Sequence, residues 1–184
     1  MDALALLTQR NSTPRLSEPA PSPEALATMI GCALRAPDHA YLRPVRFLII
    51  EGESRQRLGQ VFADALRRRK PDASDDEIQK NRIAPLRAPL LVVVIAQIKD
   101  NPKVPAIEQR LTAGCAAHGL LLAAQALGFG AVWRTGDNAY DPGIRSALGL
   151  AENEEISGYI YIGTPSAPAK PLPELNPAAF MRAW

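Results

Sequence analysis

Apolar and polar positions alternate along this chain with two periods, and the switches between them outline helices and strands in turn. Leu4, Leu6 and Leu7 before Thr8-Gln9-Arg10 predict a short amphipathic helix over residues 2–9 whose basic end faces the next loop. The proline-rich stretch 14–23 reads as a connector. Ser22-Pro23-Glu24 then supplies a capping hydroxyl, a proline at the first helical position and an early acid, predicting a helix from Pro23 to about Arg35. Val45 to Ile50, rich in β-branched and aromatic residues, predicts a first strand. Leu58, Val61, Phe62, Ala65 and Leu66 recur at helical spacing within 54–70, and Ser74-Asp75-Asp76-Glu77 opens a further short helix.

Leu90 to Ala96 shows no alternation, as a strand covered on both faces should. From Leu111 to Trp133 the chain carries no formal charge. Thr112, Gly114, His118, Gly119 and Gln125 interrupt its apolar character, and Gly128 and Gly130 break the helical pattern, so the run predicts a central buried helix and a short strand rather than a membrane span. A helix apolar all round calls for enclosure on every side. This one delivers Trp133, Arg134 and Thr135 to its rim. A small helix near 142–148, a last strand over 156–163 and a tail over 164–184 ending in Phe180-Met181-Arg182-Ala183-Trp184 complete the pattern. The alternation predicts one domain spanning 1–184, with four strands between helices and a tail that docks, a partner subunit being a reasonable host.

Composition adds exclusions. The chain has 184 residues, 47% hydrophobic and 22% charged, ordinary values for one globular core. A formal net charge of +2 gives no reason to expect nucleic acid as a partner, and the run Arg67-Arg68-Arg69-Lys70 before Pro71 reads as a helix end. Two cysteines, Cys32 and Cys115, lie in apolar helical patterns and are read as buried thiols without a disulfide framework. Together with the lack of a secretory pattern at the N-terminus, this predicts a cytoplasmic protein. The two histidines and two cysteines lack the paired spacing of a metal site.

Three polar clusters remain as candidate chemistry. Arg10, Ser12 and Arg15 follow a helix and combine guanidinium forks with a hydroxyl, a receptor for phosphate or carboxylate, although two arginines around a serine are more often plain surface. Arg35 to His39 forms a second cluster at a helix C-terminus, where the dipole favours a protonated His39, and a solvated helix end with turn hydrogen bonds by Asp38 and His39 accounts for it at least as well. Trp133-Arg134-Thr135-Gly136 forms a third at a strand end. The preceding Gly128-Phe129-Gly130 is no dinucleotide fingerprint, because the glycines follow a helix and precede a strand. Cys115 and His118 share a helical face, but no neighbouring charge orients the imidazole as a base.

Taken in order, MDALALLTQRNSTPRLSEPAPS, ALRAPDHAYLRPVRFLIIEG, APLRAPLLVVVIA, KVPAIEQRLTAGCAA, ALGFGAVWRTG and GYIYIGTP resemble the nitroreductase family, in its short YdjA-type NAD(P)H branch. The resemblance implies an α+β fold, a three-layer α/β/α sandwich with a central mixed sheet, in an intertwined homodimer with FMN at the subunit interface. It implies that Arg10 and Ser12, with Asn11 beside them, hold the FMN phosphate and ribityl chain. Arg35 and His39 would reach the same flavin from the partner subunit. Trp133, Arg134 and Thr135 would lie along the flavin ring, where positive charge favours the reduced form. The implied reaction is a two-step exchange: NADH or NADPH reduces FMN, and a small-molecule oxidant, a nitro compound or quinone, takes the electrons back. No side chain need act as a nucleophile, and neither metal nor membrane is implied.

The chain departs from the family pattern at Arg43-Pro44-Val45, where Gln-Pro-Trp is typical, and at Asn11, where a second arginine is usual. Those departures motivate an alternative, a flavin-binding or interaction protein on the same scaffold without efficient turnover. A plain interaction module using the terminal tail is a third reading.

Overall fold

The computed structural model describes residues 2–184. The first helix, α1 (Ala3–Gln9), begins where the Asp2 carboxylate accepts the Leu4 N–H at 2.9 Å. A two-residue strand, β1 (Leu16–Ser17), follows inside the connector. Helix α2 (Pro23–Ala33) opens as its sequence predicts, the Ser22 hydroxyl accepting the Ala25 N–H at 3.2 Å, and stops two residues short of Arg35. Next come β2 (Val45–Glu51), α3 (Ser54–Arg69), α4 (Asp75–Ile83) and β3 (Leu90–Gln97). The long α5 (Ala106–Ala126), β4 (Gly130–Arg134), short α6 (Asp137–Tyr140) and α7 (Pro142–Ala147), and β5 (Glu154–Pro165) follow. The basic run at the end of α3 does occupy its last turn, yet it is paired rather than merely solvated: Arg67 meets Asp64, Arg69 meets Asp141 at 2.7 Å, and Lys70 meets Glu77.

The sheet corrects the sequence reading twice. Among the described residues it has five strands, not four, because β1 is too short for any periodicity to reveal and is fixed by pairing Leu16 with Pro165 and Ser17 with Thr164. It is antiparallel in every pairing rather than mixed: β2 with β3, β3 with β5, and β4 and β1 with β5. The predicted tail also begins later, since residues 164 and 165 belong to β5.

Strand β3 is buried on both faces, as its unbroken apolar run requires, and so is β5 from Gly158 to Gly163. On one face Val92, Val94, Ile160 and Ile162 pack under α2 and α5. On the other, Val93, Ile95, Tyr159 and Tyr161 pack under α3 and α7, with Phe62 edge-on to Tyr159 at 5.3 Å between ring centroids.

Helix α5 is not enclosed on every side. Its alanine-rich face, including Ala113, Ala116, Ala117 and Ala124, lies fully buried, but Ile107, Leu111, Cys115 and His118 on another face are exposed in the single chain. Cys32 is exposed as well, so the expectation of buried thiols is overturned: both cysteines lie on the outward side of their helices, where the helical repeat leaves them uncovered. None of the described helices is long and apolar enough to cross a membrane.

Two features tie the sheet together. At the start of β5 the buried Glu154 carboxylate receives both prongs of the Arg46 guanidinium at 2.6 Å, the Gln97 amide at 2.7 Å and the Ala151 N–H at 3.0 Å, joining β2, β3 and β5. The Arg46 bond first of all, outweighing the opposing effect of burial, lowers its pKa to about 2. Farther along, the Trp133 indole donates to the Ser157 carbonyl at 3.2 Å and lies across Gly158, where a Cβ would come within 1.9 Å of Nε1.

Replacing Glu154 with Gln is expected to cost about 3 kcal/mol at neutral pH by leaving Arg46 without its charge partner. Because the folded pKa lies below the unfolded value near 4.5, this stabilisation is fully present above that value and lost as pH falls toward 2. Urea denaturation of both proteins at pH 7 and pH 3 should therefore show the gap narrowing in acid. Gly158→Ala is expected to cost about 1–3 kcal/mol by displacing the indole, and less in a Trp133→Leu background, which a double-mutant cycle would measure.

Candidate functional site

The exposed strip of α5 is one wall of a groove of about 570 Å³ that runs between α5 and the end of α2. Cys32 borders it from α2 and Arg35 from the turn just after that helix, Leu111, Cys115 and His118 from α5, and Trp133 closes it from β4. The α2 and α5 backbones approach closely here because position 119 carries no side chain: a Cβ on Gly119 would lie 3.3 Å from the Ala33 Cα. A smaller hollow of about 210 Å³ continues past Leu111 and Cys115 to Asp38 and His39. Of the candidates, the structure thus brings Arg35 and Trp133 together, with His39 at the adjoining end.

His39 takes a partner the sequence did not suggest. Its Nδ1 lies 2.6 Å from Glu108 Oε2, at the first turn of α5, and the Thr112 hydroxyl donates to the Pro37 carbonyl at 2.8 Å. Asp38 behaves as its turn chemistry predicts, accepting the N–H groups of Leu42 at 3.2 Å and Arg43 at 2.6 Å. Cys115 and His118 share the groove but form no hydrogen bond with each other.

The Arg10 cluster lies apart. Gln125 of α5 clasps the loop after α1, donating to the Gln9 carbonyl and accepting the Asn11 N–H, both at 3.3 Å. Asn11 in turn donates its side-chain amide to the Lys170 carbonyl at 2.6 Å, so the amide is committed to the tail. Ser12 and Arg15 face Pro168 and Lys170 across a cavity of about 230 Å³. Among the described residues, Arg10, Arg15, Arg35 and Lys170 enter no ion pair. Among the described residues, the hollows beside the Arg10 loop are lined by different residues from those beside the Arg35 and His39 loop.

The third cluster is divided by the pleat. Trp133 packs with the α2 and α5 side of the sheet, whereas Arg134, one residue on, lies on the opposite face with its Cζ 5.6 Å from the Tyr161 ring centroid. The Arg134 Nε is buried with no hydrogen-bond partner, and Thr135 is exposed just beyond the strand. Neighbouring strand residues point to opposite faces, so the two side chains reach different surfaces. Glu108, Gln109 and Lys170 carry no sequence reading of their own, and Gln125 figures there only as a break in an apolar run. Gln109, buried in α5, accepts the Lys99 N–H and donates to the Lys99 and Val104 carbonyls, and a polar residue breaking an apolar helix face was its only signal.

Comparison with known proteins covers most of the chain. The model of the nitroreductase family matches residues 7–164. YdjA of Escherichia coli (strain K12), which bears the name of an NAD(P)H nitroreductase, is 44% identical over 169 residues, 92% of this chain and 91% of its own. A similarly named protein of Haemophilus influenzae is 40% identical over 165 residues, 89% of each chain. Among solved structures, a nitroreductase-like family protein from Bacillus cereus superposes with a TM-score of 0.86 at 19% identity, covering 100% of this chain and 96% of that one. A nitroreductase with bound FMN from Bacteroides fragilis gives 0.75 at 18%, covering 100% and 99%. These last two establish likeness of fold. The matched span contains every strand except the last residue of β5, and with it the groove and all three clusters: the chain belongs to the nitroreductase family.

Proposed function

We propose that this protein is an FMN-dependent oxidoreductase that uses NADH or NADPH to reduce nitro compounds, quinones or similar small oxidants. It works in the cytoplasm as a homodimer of single-domain subunits, with FMN at the subunit interface. The observation that carries the reading is the split of the cations. The Arg10 loop and the Arg35 and His39 loop open onto separate surfaces of one chain, and an uncovered apolar groove lies along α5 beside the second. A second copy would cover that groove and could bring the two loops to one ligand. The exposed Leu175, Phe180, Met181 and Trp184 suit the tail to docking on that copy, and two free thiols suit a reducing compartment.

The donor set fits FMN. Arg10 and Ser12 offer a guanidinium free of acidic partners and an exposed hydroxyl, the chemistry a phosphate and a ribityl chain require. Asn11 supports that loop through its bond to the tail. Arg35 and His39 supply cationic or donor groups from the other side, Trp133 offers an indole to the groove, Arg134 adds positive charge behind it, and Thr135 stands exposed at the strand end. FMN, held there by Arg10 and Ser12 on one side and Arg35 and His39 on the other, would supply the hydride-transfer chemistry that links the nicotinamide to the oxidant. The chain's own work is to hold the phosphate, keep an apolar wall against the ring and leave room for two substrates in turn. No side chain is assigned a nucleophilic role.

Protein expressed with riboflavin supplied should be yellow and dimeric, and should bleach anaerobically with NADH or NADPH. A colourless protein would refute the proposal, and a yellow one that neither nicotinamide bleaches would leave a flavin-binding protein without efficient turnover. Arg10→Ala should weaken FMN binding by about 1.5–3 kcal/mol, the value of a charge-assisted hydrogen bond. Flavin retained per subunit after dialysis checks this, and unchanged occupancy would remove Arg10 from the site.

A further inference from the structure

The loop from Pro37 to Arg43 is held in an uncommon conformation. Ala40, Tyr41 and Arg43 all have positive φ, at 60°, 54° and 51°, a region that side-chain-bearing residues rarely occupy. The loop is nonetheless tied at five points: Thr112 to the Pro37 carbonyl, Glu108 to His39, Asp38 to the N–H groups of Leu42 and Arg43, and Lys99 Nζ to the Leu42 carbonyl. Backbone kept in a rare conformation by so many bonds points to a demand on the side chains it displays.

Those side chains are Tyr41, 85% exposed, and Arg43, also exposed and in no ion pair among the described residues. The acids facing the loop are already engaged, Asp38 with backbone N–H groups and Glu108 with His39. Arg43 is therefore left as an unneutralised guanidinium, and its N–H is bonded to Asp38, which lines the hollow at the end of the α5 groove. Neither Tyr41 nor Arg43 lines the hollow itself, but both follow closely in the chain on Asp38 and His39, which do, and Arg35 places an unpaired cation in the adjoining, largely apolar groove.

We propose that Tyr41 and Arg43 select the oxidant, favouring aromatic anions: the tyrosine ring packs against the substrate ring while the Arg43 guanidinium pairs with a carboxylate on it. A nitroaromatic carboxylate is the simplest member of that class. The proposal rests on the oxidoreductase reading above, and it differs from it in what would fail.

The test is calorimetric titration of the purified protein, its flavin content recorded, with 4-nitrobenzoate and with the uncharged nitrobenzene. The wild type should bind the carboxylate about five- to tenfold more tightly, as expected for one partly solvated charge-assisted contact. Arg43→Gln should abolish that preference, Arg43→Lys should retain part of it, and Tyr41→Ala should weaken both ligands. Equal affinities in the wild type, or a preference that survives Arg43→Gln, would overturn the proposal. Absent flavin with the preference intact would count against the oxidoreductase reading alone, because the titration requires no turnover.

Discussion

The antiparallel pairing of β5 is the constraint on which the rest of the structure depends. One strand of twelve residues pairs with β3 along one edge and with β4 and β1 as well, so it fixes the positions of segments distant in sequence. It brings the Arg10 loop toward the sheet through β1 and through the Thr13 N–H, which donates to the Ala131 carbonyl at 2.9 Å. It also seats Trp133 over Gly158, where no side chain other than hydrogen fits beneath the indole. A slip of one residue would send its core side chains to the wrong faces. The Glu154 cluster at the start of β5 opposes such a slip, because the same carboxylate must meet Arg46 on β2 and Gln97 on β3 at once.

Helix α5 carries the second requirement. Alanines on its inner face let it lie close against the sheet, and polar residues at its ends anchor three loops. Gln109 holds the segment after β3, Glu108 and Thr112 hold the loop after α2, and Gln125 holds the loop after α1. Arg10, Asn11, Ser12, Arg35 and His39, proposed to bind the cofactor, thus sit on loops bonded to one helix, while Trp133 and Arg134 end β4. Rigid placement of binding groups on irregular backbone is economical when a single element supplies the bonds. The same helix turns Leu111, Cys115 and His118 outward, so one element both organises the scaffold and forms a wall of the groove.

Much of this was legible in the sequence. Apolar spacing located α1 and α3, Ser22-Pro23 and Ser74-Asp75 marked the starts of α2 and α4, the uncharged run from Leu111 pointed to α5, and the unbroken run from Leu90 to Ala96 announced a strand covered on both faces. Such signals are local and follow from the period of the backbone. What escaped was non-local. The two residues of β1 have no pattern of their own, strand direction depends on connections the sequence left open, and the exposure of Cys32 and Cys115 depends on which helix face meets the sheet. Partners such as Glu108 for His39 and Lys170 for Asn11 lie 69 and 159 residues away and carry no spacing signal.

The sequence by itself determined which segments form helices and strands, and which residues carry charge that the core could not absorb, because periodicity and the cost of burying an unpaired ion act on each segment alone. Only the tertiary structure decided that the Arg10 loop and the Arg35 loop open onto different surfaces, and that Trp133 and Arg134 part to opposite faces of one strand. Those outcomes follow from strand register and helix orientation, which are set by packing between elements rather than within them.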